Sequence, residues 1–358
     1  MTNALSLSRR SLGNSSPNPS VGCIIVKNNC IVGRGWTQPG GRPHAETQAL
    51  KEAGVHSVNS DIYITLEPCS HFGKTSPCVD KIIQAKPKRV IIGSKDPDPR
   101  VNGRGIKKLR DKGIDVIVGV LEKDVQEINE GFFTRLHLNR PFFSIKVACS
   151  ADGKIALSNG KSKWITCKKS RNYSHLLRSL YDGIMIGSET ALRDNPYLNC
   201  RLNGIQNYFN PIKIIIDRRL RIDFNSNIVS QAKDIRTYVF TANNNDAEKI
   251  KKLIDLGVNV KSFRSENENI FNEQFISYLT SLGINKILVE GGAFLITKLF
   301  EMNLVDKFYL FRSPIFLGNE SKNFLSNLNF DELSEVIKMK KAETLTFDYD
   351  TLDIYTRN

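Results

Sequence analysis

Short apolar runs alternate with amphipathic segments along the chain, and this alternation predicts an α/β fold. In the first 140 residues the predicted strands are 21–26, 31–35, 61–66, 89–92 and 115–118. The predicted helices are 44–53, 77–85 and 105–112, followed by a helical face formed by Leu121, Val125, Ile128, Phe132 and Leu136. Asn28 and Asn29 separate the first two strands and predict a hairpin.

The breaker Asn139-Arg140-Pro141 interrupts this pattern and gives the predicted boundary between a domain 1–140 and a domain 141–358. Beyond it the alternation restarts. The predicted strands are 142–148, 183–186, 211–216, 237–241, 258–260, 286–289 and 307–311. The predicted helices lie near 168–180, from Asp246, near 271–282 and after Gly291-Gly292.

The chain has 358 residues, which is enough for about two domains with their own cores. No stretch approaches the roughly 18 consecutive apolar residues of a transmembrane helix. The start lacks a continuous apolar segment, so we expect no secretory signal and a cytoplasmic location. The seven cysteines are an odd number, which favours reduced thiols and suggests metal ligands before disulfides.

The net charge is +14, with +8 in residues 1–140 and +6 in the remainder. Because the excess is spread over both halves, it predicts a surface that attracts anions such as nucleic acid or phosphorylated small molecules. Charge alone favours the simpler interpretation, a solvated basic surface that has no specific partner.

The strongest chemical signal is His44-Ala45-Glu46, followed by Glu67-Pro68-Cys69 and Cys78. One imidazole and two thiolates suit Zn²⁺, and three protein ligands leave a fourth position for a water that can supply hydroxide near neutral pH. Glu46 is two residues past His44, so its carboxylate can face that water, take its proton and pass it to a departing amine. This predicts hydrolytic deamination of an amino-substituted ring.

Both His44 and Cys78 are predicted at helix starts, where the positive potential stabilises thiolates. A structural zinc site, or two unrelated buried cysteines, is the alternative. The known zinc-deaminase signature ends in P-C-x-x-C, whereas eight residues separate Cys69 from Cys78 here. That insert, SHFGKTSP, is interpreted as a substrate-lining segment or as a polar loop.

Residues 141–358 contain no G-x-G-x-x-G after a strand, which disfavours a Rossmann dinucleotide domain. The candidate phosphate cradle is Glu290-Gly291-Gly292-Ala293, between a predicted strand and a helix. A tight turn is the alternative for this glycine pair.

Taken together, these motifs resemble a known family. The matching runs are PNPSVGCIIV (17–26), HAE (44–46), YITLEPCSHFGKTSPC (63–78), DPDPRVNGRG (96–105), INEGF (128–132), KVACSADGKIA (146–156), SKWIT (162–166), LRDNPYLNCR (192–201) and LVEGGAFL (288–295). The chain resembles the bifunctional riboflavin-biosynthesis proteins, in which a pyrimidine deaminase is fused to a reductase.

The resemblance implies a cytidine-deaminase-like α/β/α sandwich followed by a dihydrofolate-reductase-like α/β domain. It implies zinc-dependent hydrolytic deamination of 2,5-diamino-6-(5-phosphoribosylamino)pyrimidin-4-one, followed by NADPH-dependent reduction of the ribosyl chain to give 5-amino-6-(5-phosphoribitylamino)uracil. It also implies a phosphorylated small-molecule substrate, no nucleic-acid or membrane partner, and a homo-oligomer.

The resemblance also assigns site residues. Zinc would be bound by His44, Cys69 and Cys78, with Glu46 as the catalytic proton shuttle, and the deaminase substrate by Asn18, His71, Lys74 and Asp96. NADPH would contact Ala148, Trp164, Thr190, Asp194 and the segment Gly291, Gly292, Ala293 and Phe294. The reductase substrate would contact Ser162, Arg178, Leu198, Arg201 and Glu290, with Lys146 and Asp152 nearby.

Four positions depart from the family pattern. Thr37 stands where the family has His, Asp98 where it has Asn, Ser76 where it has Pro, and Cys149 where small residues are common. Asp98 adds negative charge where a phosphate-bearing substrate is expected, which predicts a changed affinity there. Because the predicted zinc ligands and Glu46 are all present, we expect an active deaminase with altered substrate contacts.

Two other classes of function compete with this interpretation. A nucleic-acid deaminase acting on tRNA or single-stranded DNA fits the basic charge and HAE, but clustered aromatic residues and a basic stripe are not evident. A zinc-stabilised binding protein with decayed sites conflicts with the intact His44, Glu46, Cys69 and Cys78. An assay of ammonia release distinguishes the two deaminases. A riboflavin-biosynthesis deaminase acts on a small phosphorylated pyrimidine, whereas a nucleic-acid deaminase acts on an oligonucleotide.

Overall fold

The structure is a computed structural model that describes residues 1–73, 76–202, 210–242, 246–263 and 268–357. Two units divide the chain. The first unit comprises Met1–Arg140 together with Leu282–Asn285, and the second comprises Pro141–Ser281 and Lys286–Asn358. The described residues include no helix long and apolar enough to cross a membrane.

The first unit is built on a mixed five-stranded sheet in the order β2-β1-β3-β4-β5. Its strands are β1 (Gly22–Lys27), β2 (Cys30–Trp36), β3 (Asp61–Leu66), β4 (Arg89–Ser94) and β5 (Asp115–Val118). Strand β1 is antiparallel to β2 and β3, whereas β3, β4 and β5 are parallel. The predicted hairpin is confirmed, since Asn28 and Asn29 both take the positive φ angles of a tight turn.

Helices cover the sheet of the first unit. They are α1 (Thr2–Ser8), α2 (Ala45–Ala53), α3 (Cys78–Gln84), α4 (Arg104–Asp111), α5 (Glu122–Ile128) and α6 (Glu130–Leu138). Ile24 of β1 packs with Ala4 and Leu7 of α1, whereas Cys23 and Ile25 belong to the larger core. Successive residues of a strand point to opposite faces, so helices pack on both sides of the sheet.

Small residues hold α2 close to β2. A Cβ atom added at Gly35 would lie 2.0 Å from the carbonyl oxygen of Ala45, and one at Gly33 would lie 2.3 Å from that of Ala49. No real side chain tolerates such distances. The backbones of the helix and strand are therefore in direct contact, and this fixes where α2 begins.

One predicted helix is in fact two. The pattern from Leu121 to Leu136 predicts a single helical face, but α5 ends at Ile128 and α6 begins at Glu130. The reason is Asn129, whose buried side chain accepts a hydrogen bond from Ser20 N (2.8 Å) and donates one to Ser20 O (3.1 Å). These bonds satisfy two backbone groups of a distant buried segment, at the point where the helix breaks.

The second unit contains a nine-stranded sheet in the order β11-β10-β9-β8-β12-β6-β13-β16-β15. Its strands are β6 (Phe142–Ser150), β8 (Gly183–Gly187), β9 (Ile212–Ile216), β10 (Thr237–Ala242), β11 (Asn259–Phe263), β12 (Lys286–Val289), β13 (Val305–Ser313), β15 (Met339–Phe347) and β16 (Asp350–Arg357). The short strands β7 (Lys154–Ala156) and β14 (Lys322–Asn323) pair separately. Strand β16 is antiparallel to both β13 and β15, and the other neighbouring strands described in the large sheet are parallel.

The helices of this unit are α7 (Lys168–Ser179), α8 (Ser188–Asp194), α9 (Asn227–Ser230), α10 (Ala247–Asp255), α11 (Glu268–Ser281) and α12 (Ala293–Glu301). The predicted strands from 142–148 to 307–311 are confirmed. The final hairpin of β15 and β16 was not predicted, although Leu345, Phe347, Leu352 and Ile354 all pack on the core that contains Phe311. Parallel strands bring the carboxyl ends of β6, β8 and β12 to one edge of the sheet.

We expect Gly35→Ala to destabilise the first unit by about 1–3 kcal/mol, because overpacking forces α2 away from β2. The measurement is urea unfolding followed by fluorescence. The chain has two tryptophans, Trp36 and Trp164, so a Trp164→Phe background leaves Trp36 as the reporter of the first unit. An unchanged unfolding midpoint would contradict the close contact between helix and strand.

Candidate active sites

Three side chains of the first unit converge on one point. The ligand atoms of His44, Cys69 and Cys78 all lie within 4.8 Å of one another. The Nδ1 atom of His44 is 3.7 Å from the Sγ of Cys69 and 3.3 Å from the Sγ of Cys78. A tetrahedral zinc ion with its usual Zn–N and Zn–S distances separates such ligand atoms by about 3.6 Å. The donor set and its spacing therefore fit zinc.

The three residues are positioned by neighbouring elements of the sheet. His44 is the N-cap of α2, Cys78 is the first residue of α3, and Cys69 follows the carboxyl end of β3. The backbone N–H of Cys78 donates to the sulfur of Cys69 (3.2 Å). The predicted helix starts at His44 and Cys78 are thus confirmed.

The charges around this cluster favour a thiolate at Cys69. A hydrogen bond from Cys78 lowers the pKa of Cys69 to about 4, with further help from His44, although burial acts in the opposite direction. Glu46 is only 4% exposed. Burial raises the pKa of its carboxyl, while neighbouring His44 lowers it. A carboxyl group held in this way can both accept and release a proton.

Glu67, the first residue of the EPC motif, organises the adjacent backbone. Its buried carboxylate accepts hydrogen bonds from the backbone N–H groups of Gly103 (2.9 Å), Gly105 (2.9 Å) and Ile106 (3.2 Å). It therefore satisfies unpaired donors at the start of α4. This carboxylate fixes the loop next to Cys69, a role that the sequence analysis did not assign.

A cavity of about 250 Å³ opens beside the cluster, and we call it the Glu46 cavity. Its wall includes Pro17, Asn18, Thr37, Arg42, His44, Glu46, Cys69, His71, Asp96, Asp98, Arg100, Phe132 and Arg135. The structure thus places Asn18, His71 and Asp96, three of the four predicted substrate contacts, at one cavity. The fourth, Lys74, lies outside the described residues.

These three contacts differ in what they can offer a substrate. The amide nitrogen of Asn18 already donates to Gly41 O (2.8 Å). The Nδ1 atom of His71 is buried and has no hydrogen-bond partner among the described residues. Burial raises the pKa of Asp96 to about 7, and its carboxylate accepts from the N–H of Asp98 (2.8 Å). His71 is therefore a polar group that a bound ligand would satisfy.

The two departures at Asp98 and Thr37 have structural explanations. Asp98 binds the guanidinium of Arg100 through Nε (3.0 Å) and Nη2 (2.5 Å), so its added charge is neutralised inside the cavity wall. The hydroxyl of Thr37 accepts from Val21 N (3.0 Å) and donates to Pro19 O (3.0 Å).

The sequence analysis did not predict the three arginines of the cavity wall, because a lone arginine has no characteristic spacing in the sequence. They are Arg42, Arg100 and Arg135.

In the second unit, two predicted substrate contacts pair with each other. Arg178 binds Glu290 through two parallel hydrogen bonds, Nε to Oε1 (2.7 Å) and Nη2 to Oε2 (2.9 Å), and both side chains are largely buried. Burial would raise the pKa of Glu290, but Arg178 and then Lys146 hold it at about 2. A fixed, ionised carboxylate therefore stands at the carboxyl end of β12.

His175 adjoins this pair and was not predicted. Burial, followed by the charges of Arg178 and Arg201, lowers the pKa of His175 to about 4, so the imidazole is neutral at pH 7. It accepts a hydrogen bond from the backbone N–H of Arg201 (3.3 Å). The Arg201 guanidinium also donates to Asn199 Oδ1 (3.0 Å) and lies partly exposed. Leu198 is buried three residues before it.

The glycine pair lies where the cradle was predicted. Gly292 is the N-cap of α12, and Ala293 and Phe294 form the first residues of that nine-residue helix. A Cβ atom added at Gly291 would lie 2.8 Å from the Leu295 side chain, and one at Gly292 would lie 3.7 Å from Thr190 Oγ1. Gly291, Gly292 and Ala293 are half-buried, and the two glycines add no side chain of their own at this helix start, which suits an anion.

The remaining predicted contacts of the second unit are more varied. Ala148 lies in β6, half-buried, and Ser162 is in a half-buried loop position. Asp194 ends α8, and burial raises the pKa of its carboxyl. Trp164 is 68% exposed, with the guanidinium carbon of Arg171 4.4 Å from its ring centre. Its exposed ring is therefore available for stacking rather than part of the core.

Asp152 has a structural role. Its carboxylate accepts from the Ser150 hydroxyl (2.5 Å) and from the backbone N–H of Gly318 (2.8 Å). The hydrogen bond from Ser150 is the main cause that lowers the pKa of Asp152 to about 2. Lys146, by contrast, is near the Arg178–Glu290 pair, and burial lowers its pKa while Glu290 opposes that effect.

Comparisons with known proteins agree with this division of the chain. Residues 1–94 match the cytidine and deoxycytidylate deaminase zinc-binding region, and residues 141–352 match the RibD C-terminal domain. The riboflavin biosynthesis protein RibD of Aquifex aeolicus (strain VF5) is 36% identical, over 99% of this chain and 96% of that protein. The RibD protein of Escherichia coli (strain K12) is 33% identical, over 96% of this chain and 94% of that protein.

Solved structures give the same result. The crystal structure of a diaminohydroxyphosphoribosylaminopyrimidine deaminase/5-amino-6-(5-phosphoribosylamino)uracil reductase from Thermotoga maritima is 32% identical, with a TM-score of 0.87 over 100% of this chain and 97% of that one. Acinetobacter baumannii RibD, form 1, is 29% identical, with a TM-score of 0.90 over the same shares. With both halves matched in order, the chain belongs to the RibD family of bifunctional riboflavin-biosynthesis enzymes, which join a zinc-binding deaminase to a reductase.

Proposed function

We propose that residues 1–140 form the deaminase and residues 141–358 the reductase, and that each unit carries one site. The deaminase would convert 2,5-diamino-6-(5-phosphoribosylamino)pyrimidin-4-one, replacing its ring amino group with oxygen from water and releasing ammonia. The observation that carries this proposal is the convergence of His44, Cys69 and Cys78 beside the buried carboxyl of Glu46. A small phosphorylated pyrimidine, rather than a nucleic acid, is the proposed substrate.

In this proposal His44, Cys69 and Cys78 hold the zinc ion, which activates a water molecule when it is bound. Glu46 takes a proton on its carboxylate and delivers it to the departing amine. His71 supplies its buried Nδ1 to the substrate, and Asp96 and Asn18 line the same Glu46 cavity.

We expect the purified chain to contain about one zinc ion, and we expect Cys78→Ser or Cys69→Ser to lose it, because a neutral hydroxyl is a poor replacement for a thiolate. Inductively coupled plasma mass spectrometry measures the metal. Cys30→Ser is the matched control, since Cys30 is exposed and outside the cluster. Full zinc content in the Cys78→Ser variant would overturn the ligand assignment.

We expect Glu46→Gln to keep zinc but to slow ammonia release by at least about 100-fold, because the amide cannot shuttle a proton. Reduction of substrate that has already been deaminated should be unaffected. Glu52→Gln on the same helix is the control, because Glu52 is exposed and pairs with Arg34. Normal ammonia release by the Glu46→Gln variant would refute the assigned role.

For the reductase we propose that NADPH supplies the hydride and that the ribosyl chain of the deaminated product receives it, giving 5-amino-6-(5-phosphoribitylamino)uracil. The start of α12 and Thr190 would hold cofactor phosphates, with Ala148, Trp164 and Asp194 around the cofactor. Arg178, Glu290, Leu198, Ser162 and Arg201 would hold the substrate. The glycine pair without Cβ atoms at that helix start supports the cofactor assignment.

Arg178 and Arg201 have different roles in the proposed reductase site. The bidentate pair with Glu290 holds Arg178 in place, so its remaining Nη1 donor is fixed, and that donor binds Asn199 O (3.0 Å). The partly exposed Arg201 is then the better candidate for the substrate phosphate.

Self-association of the chain, which the family resemblance implies, stays a prediction that analytical ultracentrifugation would test.

We expect Arg201→Ala to lower the kcat/KM of reduction by about 10- to 100-fold, the effect of losing a charge-assisted hydrogen bond. Ammonia release should be unchanged. The readout is NADPH absorbance with the deaminated substrate, and Arg236→Ala, an exposed arginine that precedes β10, is the control. Loss of both activities in a folded Arg201→Ala variant would contradict the two-site proposal.

A further inference from the structure

A segment from far along the sequence forms part of the first unit. Leu282–Asn285 lies between α11 and β12 in the sequence, yet it belongs with residues 1–140. Gly283 has a φ of +73°, and a Cβ atom added there would lie 2.7 Å from the Cβ of Pro17. Glycine is therefore required both by the backbone conformation and by the close contact with Pro17.

Asn285 makes the most specific contact of this segment. The residue is 7% exposed. Its Oδ1 accepts a hydrogen bond from Nε of Arg135 at 2.6 Å. Arg135 also donates through Nη2 to Pro17 O (2.9 Å), and its guanidinium lies 5.7 Å from the ring centre of Phe132. Because Arg135 and Phe132 line the Glu46 cavity, Asn285 sets the position of a cationic group in the cavity wall.

The same asparagine reaches a second part of the wall. Its Nδ2 lies 3.5 Å from Asn18 O. Asn18 in turn donates through its side chain to Gly41 O (2.8 Å). Gly41 is three residues before the zinc ligand His44. The contacts thus run from Asn285 to the segment that leads into the metal cluster.

We propose that Asn285 is a positioning residue of the deaminase, acting through Arg135, and that Arg135 contacts the anionic part of the substrate in the Glu46 cavity. A guanidinium whose Nε and Nη2 are both engaged is fixed in orientation, so less freedom is lost when an anionic substrate binds. Truncating Asn285 removes the acceptor of Arg135 Nε and leaves the bond from Nη2 to Pro17 O, so the guanidinium is held less firmly. The effect falls on substrate binding rather than on the proton transfer at Glu46.

The test measures ammonia release from the phosphorylated diaminopyrimidine by the full-length zinc enzyme. It compares Asn285→Ala, Asn285→Asp, Arg135→Ala and the double variant Asn285→Ala/Arg135→Ala. Asn285→Ser, whose hydroxyl is too short to reach Arg135, replaces Asn285→Ala if that variant does not fold. Ser281→Ala is the control, because Ser281 is exposed and bonds only to Tyr278 O in the described hydrogen bonds.

We expect Asn285→Ala to raise the KM for deamination by about three- to tenfold with kcat within about twofold, the effect of one lost hydrogen bond. Asn285→Asp retains an acceptor for Arg135 and restores the KM. In the Arg135→Ala background the Asn285→Ala change adds nothing further, because the two residues act as a unit. NADPH oxidation with the deaminated substrate is unchanged in all four variants.

Three results overturn the inference: an unchanged KM in Asn285→Ala, an equally raised KM in Asn285→Asp, or independent effects of Asn285 and Arg135 in the double variant. The inference rests on the proposed deaminase function, and the two fail differently. If the unaltered enzyme releases no ammonia, the proposed function fails. If it releases ammonia and any of the three results is obtained, only the role of Asn285 and Arg135 fails.

Discussion

The contact between α2 and β2 is the constraint on which the deaminase site depends. With no side chain at Gly33 or Gly35, the helix backbone lies directly on the strand, and its first turn is fixed relative to the sheet. His44 caps that helix and Glu46 follows within its first turn. Cys69 follows the end of β3 in the same sheet, so the distance between helix and strand helps to set the distance between His44 and Cys69. A shift of a few tenths of an ångström at the glycines would be passed directly to the cluster.

Carboxylates play different roles in the two units. Glu67 binds backbone N–H groups and holds a loop in place, whereas Glu46 is buried with no such array of backbone donors among the described hydrogen bonds. In the second unit, Glu290 is kept ionised by Arg178, and Asp152 by the Ser150 hydroxyl and backbone N–H groups. Burial by itself favours the neutral carboxyl, so the partners of each group decide whether it serves as a proton carrier or as a fixed charge.

Both units use the same property of parallel strands. Carboxyl ends of adjacent parallel strands meet at one edge, where loops and helix starts present polar groups. In the first unit this edge brings Cys69 and Asp96 together after β3 and β4. In the second unit Ala148 lies near the end of β6, Thr190 follows β8 and Glu290 follows β12. The basic net charge of both halves suits sites that receive phosphorylated molecules.

The sequence by itself predicted the α/β class, the strands of both main sheets as far as β13, and the cluster of His44, Cys69 and Cys78 that the structure brings together. Hydrophobic periodicity indicates which faces of helices and strands are buried. Histidine and cysteine side chains at helix starts are typical of a small set of functions, metal binding above all. Tertiary structure alone decided the helix break at Asn129, the pairing of Arg178 with Glu290 and the contact of Asn285 with Arg135. These depend on residues more than 100 positions apart. Local patterns carry no information about such distances, because only the folded sheet and its packed helices bring those side chains together.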